Sequence, residues 1–545
     1  MTKGPGEFSK SLGLPGGDIF KSVERGIQIG RTFSSRRIRK KLENEGYDPL
    51  TIEAAVEAVK AGRNPEAILY RAKEAYRIRE EQGALRANPP PVHGSAAWAQ
   101  HHELNAADLL RPAGASGIAL GRFDGQPVTW DGESHLLTVA PTRTGKSALQ
   151  IIPTLLTYQG SAVVLDPKGE LYCHTAKWRE ANVGPVHVLN PFDLPDIPAT
   201  SAFNPLDTVT DGQSALELAE KLHPRSADER QVFFENEAIG LLAAALEFTA
   251  RFATGKHRTL ANVRSSLSTL DRDLDGLIKV MADEAMPPSI RNAARNFKTK
   301  TWDTGKPRVI DSLNTHLRIW DSEGLGQTTA RTDFSFGDLK DSPATVYLVL
   351  PFNKLTAYST YVRMLFAVAL DAMLDNARKP DIPVLFVLDE FLALDRDDRF
   401  VSALRTHASA GVRLWFFLQD LPTLEQKYPT TWKTFLQAEV KSFFGTDDPY
   451  TAKLISEYLG DTTVAYETPN MSASTTGGQS ASTSFSISEN LHLAGRKLST
   501  PDEIIRLMAG SSSSRKGVHF VRNVPPVQTD LQPWFSDEEL RSRVP

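Results

Sequence analysis

The 545-residue chain has a single cysteine, Cys173. One thiol excludes a disulfide framework within the chain and fits a reducing compartment. The twelve histidines show no metal-ligand spacing with cysteines. No uninterrupted apolar run reaches membrane-spanning length, and Met1 to Lys21 lacks the apolar centre of a signal peptide. The expectation is a cytoplasmic chain without a transmembrane segment. A formal net charge of only −4 excludes a globally basic nucleic-acid binder and leaves local contacts. Internal repeats are absent. What the chain has is 41% hydrophobic residues, enough for sizeable cores, and a length that predicts more than one domain.

The most informative stretch is Ala140-Pro-Thr-Arg-Thr-Gly-Lys-Ser147, directly after the apolar run His135 to Val139. A triphosphate needs positive potential without bulk, and backbone N–H groups at a helix start provide it. Ala140, Pro141, Thr142, Arg143, Thr144, Gly145, Lys146, Ser147 and Ala148 are therefore the candidate nucleotide cradle. Lys146 supplies a point charge for the β- and γ-phosphates, and Ser147 offers a hydroxyl to Mg²⁺. Gly145 permits close backbone approach. Ala140 stands where the usual pattern has Gly. An apolar helix follows from Ala148, and Pro153 is expected to bend or interrupt it.

A second run, Val384-Leu-Phe-Val-Leu-Asp-Glu390, reads as a central strand ending in two carboxylates. Carboxylates there are costly unless they serve a cation or a reaction. Asp389 is the candidate Mg²⁺ ligand and Glu390 the general base. Gln419, closing the strand-like run from Val412 to Leu418, is read either as a contact to the γ-phosphate or its water, or as a strand-end hydrogen bond. Asp166, Lys168 and Glu170 follow a strand expected to neighbour the phosphate-loop strand, which would put them at the nucleotide's rim. Lys168 would then meet phosphate or a neighbouring subunit, or form a salt-bridged turn in which Gly169 supplies positive φ.

Four segments are expected. Residues 1–91 form a charged helical region, with a helix beginning at Asp48-Pro49, a basic cluster from Arg31 to Lys41 and a stiff linker at Asn88-Pro-Pro-Pro91. The cluster docks on anionic lipid or nucleic acid, or is a solvated helix face. Residues 92–205 and 301–545 form one α/β core with a mainly parallel sheet. Its strands are expected at Leu136–Val139, Ala162–Leu165, Val186–Leu189, Thr345–Leu350, Val384–Leu388, Leu414–Leu418 and Val440–Phe444. Residues 206–300 read as an inserted all-α domain, in which core packing explains Phe233-Phe234-Glu235-Asn236 better than a binding role. Residues 469–488, rich in Ser, Thr, Gly and Ala, read as a flexible loop, and Ser511–Ser514 as another short loop before the strand-like Val518–Val521.

Several segments together resemble one family, the type IV secretion coupling proteins or TraG-like ATPases of bacterial conjugation. They are His93-Gly-Ser-Ala-Ala-Trp98, His135 to Ser147, Val163-Val-Leu-Asp-Pro-Lys-Gly-Glu170, Thr345 to Pro351, Leu385 to Glu390, Gly411 to Gln419 and Arg496 to Glu503. The resemblance covers about Val92 to Pro526. It implies a RecA-like P-loop core with an all-α domain that helps recognise cargo, and assembly as a hexameric ring. It also implies ATP with Mg²⁺, and delivery of relaxase-linked DNA or protein effectors to a type IV secretion channel at the inner membrane. Relaxase-linked single-stranded DNA is the first choice of cargo. Protein effectors, or a nucleotide-gated adaptor docking the relaxosome with little turnover, are the alternatives. The chain departs from the family in having no amino-terminal transmembrane helices, which implies peripheral membrane contact, a separate anchor subunit, or a truncated or specialised member. It also has Thr423 where many relatives carry a second Gln. In a ring, an arginine from the next subunit completes the site. Arg405 and Arg413 are the candidates, since both lie between Asp389 and Gln419.

Overall fold

The computed structural model describes residues 35–61, 63–224, 229–268, 272–301, 305–476, 482–509 and 515–544. The strands are β1 (Ile118–Phe123), β2 (Gln126–Trp130), β3 (Leu136–Val139), β4 (Ala162–Asp166), β5 (Val186–Leu189), β6 (Thr345–Val349), β7 (Val384–Leu388), β8 (Val412–Leu418), β9 (Val440–Phe444), β10 (Asp461–Thr476), β11 (Ser482–Lys497), β12 (Arg515–Val521) and β13 (Val527–Leu531). Eleven of them form one sheet in the order β2-β1-β13-β12-β9-β3-β8-β7-β4-β6-β5. From β9 to β5 the neighbours run parallel, whereas β12, β13, β1 and β2 add an antiparallel edge.

The central strands are buried on both faces, as a parallel sheet under two helical layers requires. Their side chains divide by alternation. On β7, Val384, Phe386 and Leu388 enter one apolar cluster, while Leu385 and Val387 enter the other. On β8, Val412, Leu414, Phe416 and Leu418 face the first cluster, Trp415 and Phe417 the second. The long helix Ser359–Asp375 packs into the first cluster through residues such as Tyr361, Met364, Leu365 and Val368.

Between β5 and β6 the described residues carry only helices, among them Gly212–Leu222, Glu229–Phe252, Pro288–Lys298 and Gly305–Leu317. Their apolar faces join the same cluster as β3 and β7, through Leu218, Leu242, Ile290 and Leu313. Helical structure runs beyond residue 300, through Glu323–Thr328, before β6 begins.

The chain forms two compact units, one comprising the residues up to Ser95 together with Asp461–Arg496, the other Ala96–Gly460 with Lys497 onward. In the first, Asp48 caps the helix Pro49–Lys60 by accepting from the Leu50 and Thr51 N–H groups, with Pro49 in its first turn. The stretch 469–488, expected as a flexible loop, is corrected: it lies mostly on the paired strands β10 and β11, of 16 residues each. Residues 477–481 within it lie outside the described residues. Thr475, Thr476, Thr483 and Ile487 are β-branched and favour extended backbone, a preference that the surrounding Ser and Gly concealed. Arg86 on the helix Glu66–Ala87 pairs with Glu467 of β10, and the His93 N–H donates to Thr463 Oγ1 at 3.0 Å. Arg31 to Ser34 of the basic cluster, and the Ser511–Ser514 loop, also lie outside the described residues.

Candidate nucleotide site

The phosphate loop leaves the carboxyl end of β3. The Ala140 N–H donates to Leu418 O at 3.0 Å, so the parallel ladder with β8 holds the loop's first residue, which is fully buried. Thr144 Oγ1 donates to Pro141 O at 2.6 Å and closes the turn. Arg143 and Gly145 both take positive φ, 62° and 88°. Gly145 does so without strain, whereas Arg143 is a non-glycine in a sparsely populated region, a feature that concentrates at functional sites. Gly445, after β9, packs so closely on the loop that a Cβ there would lie 2.5 Å from Thr144 Cγ2.

The helix after the loop begins as a π-turn, Ser147–Ile151, with the Ile152 N–H donating to Ser147 O, and continues as an α-turn, Ile152–Leu155. Pro153, expected to bend or interrupt the helix, has no N–H for the carbonyl of Leu149. The wider register absorbs that missing bond, and π-turns of this kind are frequent at functional sites.

None of the N–H groups from Thr144 to Ala148 has an acceptor among the described residues. Lys146 is only 8% exposed, donates to Ala140 O at 3.2 Å across the loop, and lies 3.9 Å from Glu390 Oε1. Unpaired N–H groups beside a buried cation are chemically suited to an anion.

The strand order places β8 between β3 and β7. Their carboxyl ends bring three expected residues together. Gln419 Nε2 donates to Glu390 Oε2 at 2.8 Å, and the opposite carboxylate oxygen faces Lys146. Gln419 thus ends its strand in a hydrogen bond, as one of its two readings expects, and the partner is the candidate base. Glu390 takes the left-handed conformation, φ 56° and ψ 37°, which turns the chain sharply at the strand tip. Asp389 is buried, and its Oδ1 accepts from the Glu390 N–H at 3.1 Å. Burial, and then the neighbouring Glu390 charge, push its pKa up to about 7. Such a carboxylate is suited to a cation that removes the cost of ionising it.

The expected place of Asp166, Lys168 and Glu170 is corrected. β4 does not neighbour β3; β8 and β7 intervene, and β4 pairs with β7 with Leu165 opposite Leu388. Sequence order does not dictate sheet order. The pairing sets Asp166 beside Asp389, an arrangement the sequence reading missed. Burial lifts Asp166 to about 6, against N–H bonds from Tyr172 and Lys168 that favour its charged form. Gly169 has φ 73°, as the turn reading requires. The exposed Lys168 has no ion pair among the described residues.

Arg413 is also corrected. It is fully buried in the middle of β8, donates to Gly132 O and Tyr158 Oη, and sits against the Trp130 and Tyr158 rings. It cannot reach a second molecule. The other candidate, Arg405, is exposed on the helix Asp398–Thr406.

A phosphate loop at the carboxyl edge of a parallel sheet, with an acidic pair on the strand beyond one intervening neighbour, defines a RecA-like P-loop nucleotide-binding fold. Residues 92–545 match the family model described as Type IV secretory system Conjugative DNA transfer, and the chain belongs to that family. It is similar to the conjugal transfer protein TraG of Escherichia coli, 24% identical over 507 residues, spanning 83% of this chain and 78% of that protein. Protein VirD4 of Agrobacterium fabrum is 28% identical over 483 residues, 82% of this chain and 67% of that protein. Among solved structures, the unbound conjugative coupling protein TrwB superposes with a TM-score of 0.58 at 16% identity, covering 81% of this chain and 93% of that one. TrwB in complex with ADP and Mg²⁺ gives 0.56 at 16%, covering 80% and 94%. These likenesses show the fold.

Among the described residues no helix is long and apolar enough to cross a membrane, and no group of three or more His, Cys, Asp or Glu is arranged to hold a metal ion. A Mg²⁺ site of the expected kind, Ser147 with Asp389, needs only two protein ligands because the ion keeps waters and phosphate oxygens.

Proposed function

We propose that this chain hydrolyses ATP to drive relaxase-linked single-stranded DNA into a type IV secretion channel. The observation that carries the reading is the convergence of Lys146, Glu390 and Gln419 at the carboxyl edge of β3, β7 and β8, with Asp389 buried beside them. The free N–H groups from Thr144 to Ala148 hold the phosphates, and Lys146 neutralises the terminal ones. Ser147 and Asp389 would hold Mg²⁺, Ser147 through its hydroxyl and Asp389 through a water. When bound, Mg²⁺ offsets charge on the β- and γ-phosphates. Glu390 takes the proton of the attacking water, and Gln419 fixes the carboxylate's orientation. TrwB, which shares the fold, is known in complex with ADP and Mg²⁺, which supports the choice of cofactors.

Assembly as a hexamer would let Arg405 reach a neighbour's nucleotide. The helices between β5 and β6 would recognise cargo as an all-α domain. Exposed Arg37 and Lys40 on the helix Ser35–Asn44 would support peripheral contact with anionic lipid at the cytoplasmic face of the inner membrane.

ATP turnover measured with and without single-stranded DNA tests the reading. DNA should raise the rate, and Lys146→Ala should abolish it. A rate indifferent to DNA would shift the cargo to protein effectors. No turnover under either condition would leave a nucleotide-gated docking adaptor.

A further inference from the structure

One cation at the phosphate loop comes from a distant part of the sequence. β12 runs antiparallel to β9, with Gly517 opposite Phe444. Its first residue, Arg515, therefore stands at the edge where β9 and β3 end. There a Cβ placed on Gly145 would lie 3.6 Å from Arg515 Nη1. The guanidinium thus lies over the glycine that lets the loop approach phosphate.

Arg515 is half-buried, and no carboxylate lies within ion-pair distance of it among the described residues. Its neighbour Lys516 is matched, pairing with Asp530 at 2.6 Å. A partly desolvated guanidinium without a counter-ion is costly unless an anion shares the site. Beside it lies the loop whose N–H groups and Lys146 are read above as the phosphate cradle. Arginine also matches phosphate better than lysine, since its planar fork donates two parallel hydrogen bonds.

We infer that Arg515 contacts the nucleotide's phosphates from within the same chain, as a second cation beside Lys146. The inference rests on the nucleotide reading of the loop. It adds that the carboxyl-terminal strand β12 senses phosphate, so that its position responds to the nucleotide bound.

The test is equilibrium binding of a fluorescent non-hydrolysable ATP analogue, and of fluorescent ADP, to the full chain with Mg²⁺. Arg515→Ala, Arg515→Lys, Lys516→Ala and Lys146→Ala are compared with wild type, and each variant's melting temperature is recorded. Arg515→Ala should weaken the triphosphate analogue by about tenfold or more, with a smaller effect on ADP and no loss of melting temperature. Arg515→Lys should recover part of the affinity, and Lys516→Ala should bind as wild type does. If Arg515→Ala binds both nucleotides within about twofold of wild type while Lys146→Ala does not, the Arg515 assignment is wrong and the nucleotide site stands. If wild type shows no binding that depends on Lys146, the site reading fails and takes this assignment with it. Should Arg515→Ala fold poorly, Arg515→Lys decides, because full wild-type affinity for both nucleotides in that variant contradicts a bidentate contact.

Discussion

Replacing Glu390 with Gln separates chemistry from binding. The substitution is nearly isosteric and keeps an acceptor oxygen for Gln419 Nε2, which now sits 2.8 Å from the carboxylate. It removes the base that takes the water's proton. Such a base contributes roughly 10²- to 10⁴-fold, or about 3 to 5 kcal/mol of barrier. Glu390 also competes with nucleotide for Lys146. At 3.9 Å and an effective dielectric of about 20, the Coulomb attraction is roughly 4 kcal/mol. Neutralising residue 390 frees Lys146 for the phosphates, so affinity for ATP should hold or rise. Single-turnover hydrolysis of labelled ATP, read beside equilibrium binding, checks both parts. Hydrolysis at the wild-type rate would refute the base assignment, and lost binding would refute the geometry around Lys146.

Three other outcomes are expected. Lys146→Ala should lose nucleotide binding by at least tenfold with an unchanged melting temperature in the absence of nucleotide, because its one hydrogen bond, to Ala140 O, is local; a large drop in melting temperature would make it a structural cation. Arg413→Ala should destabilise the fold by about 2 to 4 kcal/mol, through a cavity and an orphaned carbonyl; denaturant melts check this, and a stable variant defective only in turnover would restore it to the site. Asp389 ties nucleotide binding to pH: its pKa of about 7 stands above the ordinary 3.8, so stability of the nucleotide-free protein falls as pH rises from about 4 through 7, as the folded group gives up a proton it holds more tightly than the unfolded one. Mg²⁺-dependent nucleotide binding should accordingly strengthen from pH 6 to 8, and Asp389→Asn should show a smaller pH-dependent loss of stability; a flat binding profile would contradict the assignment.

The parts of the fold visible in the sequence are those whose physics is local. β7 is a continuous apolar run and β3 and β8 are nearly so, because both faces are covered, and the loop and acidic pair sit at their tips. Of the antiparallel edge only β12 was visible, as the strand-like Val518–Val521. β1 and β2 are short and carry Gly121 and Pro127, although Asp124 and Gly125, at φ 47° and 80°, are a hairpin turn signal. The β10–β11 hairpin was hidden by a loop-like composition. Arg413 was a candidate only by its place between Asp389 and Gln419; two aromatic rings, a carbonyl and Asp131 at 3.6 Å hold it inside instead. The adjacency of Asp166 and Asp389 depends on strand order, which no local pattern encodes.

The central claim is that one magnesium-bound ATP sits between the loop at Lys146 and the acidic tip at Asp389 and Glu390. A crystal structure with a non-hydrolysable ATP analogue and Mg²⁺ tests it most directly. The account predicts phosphate oxygens on the Thr144 to Ala148 N–H groups, the ion on Ser147, and the terminal phosphate facing Glu390. Nucleotide bound elsewhere, or phosphates out of reach of Glu390, would contradict it.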